Sequence, residues 1–236
     1  MNVSTASPKE DSKMTCFRTV LWTSGLIVAL FGGTVQGQSS ARAASASAPL
    51  VTLQMPARPN PVPVTLNPAT TALLVFDYVN GTCTREAECS GMVPTLARFM
   101  ARARKAGVVV GYGTRAHNAS NWIPAIAPAP GDITVTNTAQ DRFYNTDLDK
   151  ELKAKGITTI IMAGWSVNGS VTYTSVGATA HGYTVVIPID TTSGNTDYQT
   201  AIGFFQILNQ DDRNPTNQPL KPKTSTLSRT DLITFQ

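Results

Sequence analysis

Residues 164–190 read GWSVNGSVTYTSVGATAHGYTVVIPID, and this stretch decides the fold. It opens on a tight Gly-containing turn. Small residues then run at helical spacing from Gly169 to His181, and Gly182 ends them. The apolar strand Tyr183–Ile189 follows. Immediately upstream lies a second apolar strand, Ile157–Ala163. Working outward, the same alternation recurs. Thr71–Asp77 (TALLVFD) is a continuous apolar run, as in a strand buried on both faces. Met92–Ala106 is a helix with a basic end, stopped by Gly107. Val108–Tyr112 and Ile133–Thr136 are further strands. Asp147–Lys155 is a helix stopped by Gly156, and Tyr198–Leu208 is the last helix. Apolar strands alternating with helices predict an α/β domain with a parallel central sheet covered on both faces. No internal repeat is visible.

The chain has 236 residues, of which 14% are charged, and its formal net charge is +4. That balance, with no dense Lys/Arg cluster, argues against a nucleic-acid partner. No apolar run reaches eighteen residues, which excludes a multi-pass membrane protein. Residues 1–43 read as a secretory signal. Lys9, Lys13 and Arg18 precede the apolar stretch Val20–Val35, and Ala41-Arg42-Ala43 or Val35-Gln36-Gly37 offers a cleavage site. The mature protein is therefore expected in the periplasm or outside the cell, with no membrane partner after cleavage. Residues 44–66 are a Pro-, Ala- and Ser-rich extended lead-in, because closely spaced prolines forbid a helix. Residues 67–210 hold the domain, and 211–236 read as a polar C-terminal tail. Cys83 and Cys89 are the two cysteines beyond the signal. In an exported protein they can close a short loop as a disulfide; free thiols are the alternative.

In a parallel α/β sheet the ligand site lies beyond the carboxyl ends of the strands. That rule selects Asp77, the segment after Tyr112 and the segment after Ala163. Asp77 can act as a base, hold a cation, or cap a turn. Ser170 stands where a turn enters a helix, among unpaired N–H groups able to stabilise an oxyanion. The turn residues Trp165, Ser166, Val167, Gly169 and Val171 belong to the same candidate site. The plainer reading is that Ser170 or Asn168 caps the helix. His117 follows the second strand, and a loop with Trp122 lies beyond it. His181 reads as a helix-end residue near terminal carbonyls. No spacing in the sequence indicates a metal or phosphate site, so no cofactor is expected.

These pieces, in this order, resemble the isochorismatase-like hydrolases, also called cysteine hydrolases. TALLVFDYVNG, DRFYNTDLDKELKAKGITTIIMAG and the 164–190 stretch carry the resemblance, over roughly residues 66–195. It implies a Rossmann-like three-layer sandwich and hydrolysis of small amides, vinyl ethers or ureido compounds by an Asp–Lys–Cys triad. It also implies a non-proline cis peptide around 165–167 and a homo-oligomer. Some members bind zinc, for which only His117 offers a fragment here. By the resemblance, Asp77 is the triad Asp, and Ser170 stands in place of Cys. The Lys is expected about six residues before Phe143, where Asn137 and Thr138 stand. The nearest cation is Arg142. Asn80, His117, Trp122, Asn137, Phe143 and Tyr144 are the expected pocket residues.

The departures change the chemistry. A thiol ionises near pH 8.5, whereas a serine hydroxyl needs a well-placed base. Arginine can replace the charge of a lysine but cannot move a proton at neutral pH. Two readings follow. One is an exported hydrolase of a small amide-like substrate, with Ser170, Asp77 and Arg142 as its site. The other is a catalytically silent protein that binds a small molecule or a protein partner in the same pocket.

Overall fold

A computed structural model describes Thr52, Gln54 and residues 57–210 and 213–236. The export signal read over 1–43 lies outside the described residues. The strands are β1 (Val64–Leu66), β2 (Thr71–Phe76), β3 (Val109–Arg115), β4 (Ile133–Asn137), β5 (Thr159–Trp165), β6 (Thr184–Pro188), β7 (Thr192–Ser193), β8 (Ser225–Ser228) and β9 (Ile233–Phe235). The α-helices are α1 (Asn80–Cys83), α2 (Ala87–Lys105), α3 (Leu148–Ala154), α4 (Thr172–Ala180) and α5 (Asp197–Asn209). The central sheet has the order β4-β3-β2-β5-β6-β8, with β7 on the end of β5, and every pairing is parallel. A separate parallel pair joins β1 to β9. No helix among the described residues is long and apolar enough to cross a membrane.

The period of two along each strand sorts side chains to opposite faces of the sheet. Leu74 and Phe76 of β2 face one core, with Leu148, Leu152, Ala178 and Phe204 from α3, α4 and α5. Leu73 and Val75 face the other, with Leu96, Phe99 and Met100 from α2. The two cores make the three layers expected from the continuous apolar strands.

The polar tail is the main correction to the sequence reading. Residues 225–228 (STLS) form β8, wholly buried against β6. The stretch carries one large apolar residue, so periodicity gives no strand signal. Tertiary partners satisfy its polar groups instead. Thr226 donates to the Gln218 carbonyl at 3.1 Å, and Ser228 donates to the Val62 carbonyl at 2.7 Å. The outer edge of β8 would otherwise expose backbone groups. The buried Asn217 side chain covers it as another strand would. Its amide donates to the Leu227 carbonyl at 2.9 Å, and its oxygen accepts from the Leu227 N–H at 2.7 Å. The extended lead-in, likewise, ends in β1.

Helix α2 begins five residues before the expected Met92. The added turn carries Cys89, which is joined to Cys83 by a disulfide with Cα atoms 4.9 Å apart. The bond ties α1 to α2.

Two stability outcomes follow. Asn217→Ala strands the buried Leu227 N–H and removes one of the two donors to the Leu227 carbonyl, which keeps the Val62 N–H at 3.1 Å. Urea unfolding should show a loss of about 1–3 kcal/mol. Reduction of Cys83–Cys89 reopens a short loop and should lower stability by about 2 kcal/mol, read from unfolding with and without a thiol reductant.

Candidate active site

β2 and β5 lie side by side at the centre of the sheet, so their carboxyl ends deliver Asp77 and the 165–170 turn to the same place. Asp77 has φ 57°, the left-handed region that Asp tolerates better than most residues. The chain turns there into α1. Gly164 lets the 167–171 turn close onto β2: a Cβ would meet Val171 Cγ2 at 2.6 Å and Phe76 Cβ at 3.0 Å. The Trp165–Ser166 peptide is cis.

The strongest interaction of the site is a buried ion pair. Arg142 is fully buried, and its Nη2 donates to Asp77 Oδ2 at 2.7 Å. Its Nη1 donates to Asn137 Oδ1 at 2.8 Å and to the Ala139 carbonyl at 2.9 Å. Asn137 in turn donates to the carbonyls of Asp141 and Tyr144, at 2.7 and 2.9 Å. The second carboxylate oxygen, Asp77 Oδ1, accepts from the Thr114 hydroxyl at 2.9 Å. The arginine stem passes over β3, where a Cβ on Gly113 would sit 2.9 Å from Arg142 Cγ. Burial raises the neighbouring Asp141 carboxyl above its ordinary value, opposed chiefly by the hydrogen bond from the Phe143 N–H. Asp141 does not line the cavity described next.

A cavity of about 560 Å³ opens at these strand ends. Asp77, Trp165, Ser166 and Ser170 line it from the ends of β2 and β5. Gly81, Thr82 and Arg85 line it from α1 and the loop after it. Arg115, His117, Asn118 and Gln140 complete the lining. Ser170 is 1% exposed, and its hydroxyl donates to the Trp165 carbonyl at 3.5 Å. Neither Ser170 nor Asn168 caps a helix through its side chain, contrary to the plainer reading. Among the described residues, no group of three His, Cys, Asp or Glu side chains is placed to hold a metal ion.

Several expected site residues lie elsewhere. Trp122 packs edge-on against Tyr112, with centroids 5.1 Å apart, and donates to the Ala119 carbonyl. Asn80 ties the Trp122 loop by donating to the Trp122 carbonyl at 3.0 Å. Phe143 is buried against His181 and Tyr183, and Tyr144 is 58% exposed. Asn137 supports Arg142 from behind the cavity. Gly169 and Val171 cannot serve as free oxyanion donors, because their N–H groups donate to the Ser166 carbonyl at 3.0 and 3.5 Å. Val167 turns its side chain to Gly203 of α5. His181 reaches Asp149 through Nδ1 at 3.5 Å rather than terminal carbonyls. Sequence reasoning missed Thr114, Arg85, Arg115 and Gln140. The strand-end rule covers Thr114 and Arg115, in the segment after Tyr112, whereas nothing local marks the other two.

An isochorismatase domain model matches residues 71–210. The chain is 31% identical to the ureidoacrylate amidohydrolase RutB of Methylobacterium radiotolerans, over 48% of this chain and 62% of that protein. It is 29% identical to the ureidoacrylate amidohydrolase RutB of Rhizobium rhizogenes, over 48% of this chain and 65% of that one. The matched stretch thus spans less than two thirds of either relative. Among solved structures, the N-carbamoylsarcosine amidase of Thermoplasma acidophilum superposes with TM-score 0.57 at 22% identity, covering 69% of this chain and 97% of that one. An isochorismatase family protein of Burkholderia thailandensis gives 0.60 at 23%, covering 73% and 96%. At these identities the structures establish the fold, and the domain match establishes the lineage: this chain belongs to the isochorismatase family.

Proposed function

We propose that this protein hydrolyses the C–N bond of a small amide-like substrate, with Ser170 as nucleophile in the place of the family cysteine. The observation that carries the reading is the shared cavity: Asp77, Ser166 and Ser170 meet at the carboxyl ends of β2 and β5. In this scheme Ser170 Oγ attacks the substrate carbonyl, and its proton passes to Asp77 Oδ1. That oxygen must first release the Thr114 hydroxyl. Turn N–H groups not already bonded to the Ser166 carbonyl hold the oxyanion. The leaving nitrogen takes the proton back from Asp77, and water then cleaves the acyl ester. Arg142 remains charged throughout and holds the carboxylate in place. The names of the curated relatives, ureidoacrylate amidohydrolases, favour the same bond type. The N-terminal signal pattern and the disulfide support export to the periplasm or beyond. A homo-oligomer fits the exposed Tyr173 and Val176 of α4 and Tyr198 and Phe205 of α5.

One observation favours a second reading, a binding protein without turnover. Both Asp77 oxygens are engaged, and the Ser170 hydroxyl bonds a carbonyl instead of a base. Mutant kinetics separate the two. Under the hydrolase reading, Ser170→Ala lowers amide hydrolysis by about a hundredfold or more, and Ser170→Cys retains or raises it. Equal rates for wild type and Ser170→Ala remove this serine from the mechanism. Arg142→Met leaves Asp77 without its cation and should destabilise the fold by about 3 kcal/mol in urea unfolding.

A further inference from the structure

Charge in the cavity is unbalanced. Asp77 is the one carboxylate among its lining residues, and buried Arg142 already matches it. Two more arginines line the same cavity, Arg85 and Arg115. Elsewhere, Arg104 and Arg229 each pair with an aspartate. No ion pair or side-chain hydrogen bond among those of the described residues involves Arg85 or Arg115. The two reach the cavity from different elements. Arg115 ends β3, next to the strand that delivers Asp77. Arg85 lies in the loop between α1 and α2, inside the segment closed by Cys83–Cys89. The cross-link restricts where that loop can go.

A guanidinium presents a planar fork of donors that matches a carboxylate. Two unpaired forks on one cavity, with no acid left to neutralise them, form a site for an anion. We propose that Arg85 and Arg115 bind a carboxylate on the substrate, so that the cavity selects small amides carrying a negative charge over neutral amides of equal size. The inference rests on the hydrolase reading for the amide end of the ligand. The arginine contacts themselves do not depend on turnover. A cavity of about 560 Å³ is within the range that holds a compact metabolite.

The matched probes are succinamate and succinamide, which have the same chain length and differ by one charge. Calorimetric titration into the Ser170→Ala protein measures binding without hydrolysis. Succinamate should bind at least about tenfold tighter than succinamide. Arg85→Gln and Arg115→Gln, each added to that background, should weaken succinamate about tenfold and change succinamide by less than about twofold. The double replacement should abolish the preference. Both arginines are exposed, so unfolding midpoints close to the parent are expected. Equal affinity for the two probes, no binding of succinamate, or a preference that survives both replacements overturns the proposal. Failure of the hydrolase reading looks different: wild type would not turn over succinamate, while the charge preference and its loss in the arginine variants would persist.

Discussion

The Asp77–Arg142 pair organises the carboxyl-end face of the central sheet. A carboxylate and a guanidinium taken out of water carry a desolvation cost that only close geometry and further hydrogen bonds offset. The surroundings supply those bonds. Thr114 takes the free carboxylate oxygen, while Asn137 and the Ala139 carbonyl take the other guanidinium nitrogen. Each partner comes from a different strand end or loop. The pair therefore clamps the ends of β2, β3 and β4 and the 138–147 loop together. Glycine at 113 is part of the same arrangement, because the arginine stem occupies the space a side chain would need.

The pair also sets the chemical character of the cavity. It leaves Asp77 as a fixed carboxylate with one oxygen on Arg142 and the other on the Thr114 hydroxyl. It keeps a permanent positive charge behind that carboxylate, where a lysine is the family's expected solution. With Asp77 matched by Arg142, the two lining arginines have no carboxylate of the cavity to pair with. The cavity thus holds one carboxylate matched by Arg142 and two exposed arginines, Arg85 and Arg115, among its lining. The low charge of the whole chain makes this concentration stand out. Few ionic groups are present, and several of them converge here.

A different economy holds the far edge of the sheet. There, hydroxyls and amides replace apolar packing. β8 is buried through Ser and Thr side chains that each find an acceptor or donor, and Asn217 mimics a neighbouring strand. A Thr-, Ser- and Asn-rich composition, which looks like surface in the sequence, is in part interior. This explains why the polar C-terminal stretch reads as a tail and folds as a strand: periodicity reports apolar burial, and a hydrogen-bonded polar strand emits no such signal.

The sequence by itself determined the α/β architecture, the strands from β2 to β6, and the two positions that meet at their ends, Asp77 and Ser170. Those features are local, since an apolar run, a helical spacing and a terminating glycine each fall within a few residues. The family resemblance rested on the same ordered stretches. Tertiary structure alone decided how Arg142, the cation named from the resemblance, reaches Asp77, which side chains close the sheet edge, and which residues line the cavity. Arg142 and Asp77 are 65 residues apart, and the choice between Asn137 and Arg142 as the group at the carboxylate depends on stem length, on the clearance over Gly113 and on the loop path between strands. Trp122, Phe143 and Tyr144 were misplaced for the same reason. Sequence places a residue on an element, but the direction in which its side chain leaves that element is settled by packing against groups far away along the chain.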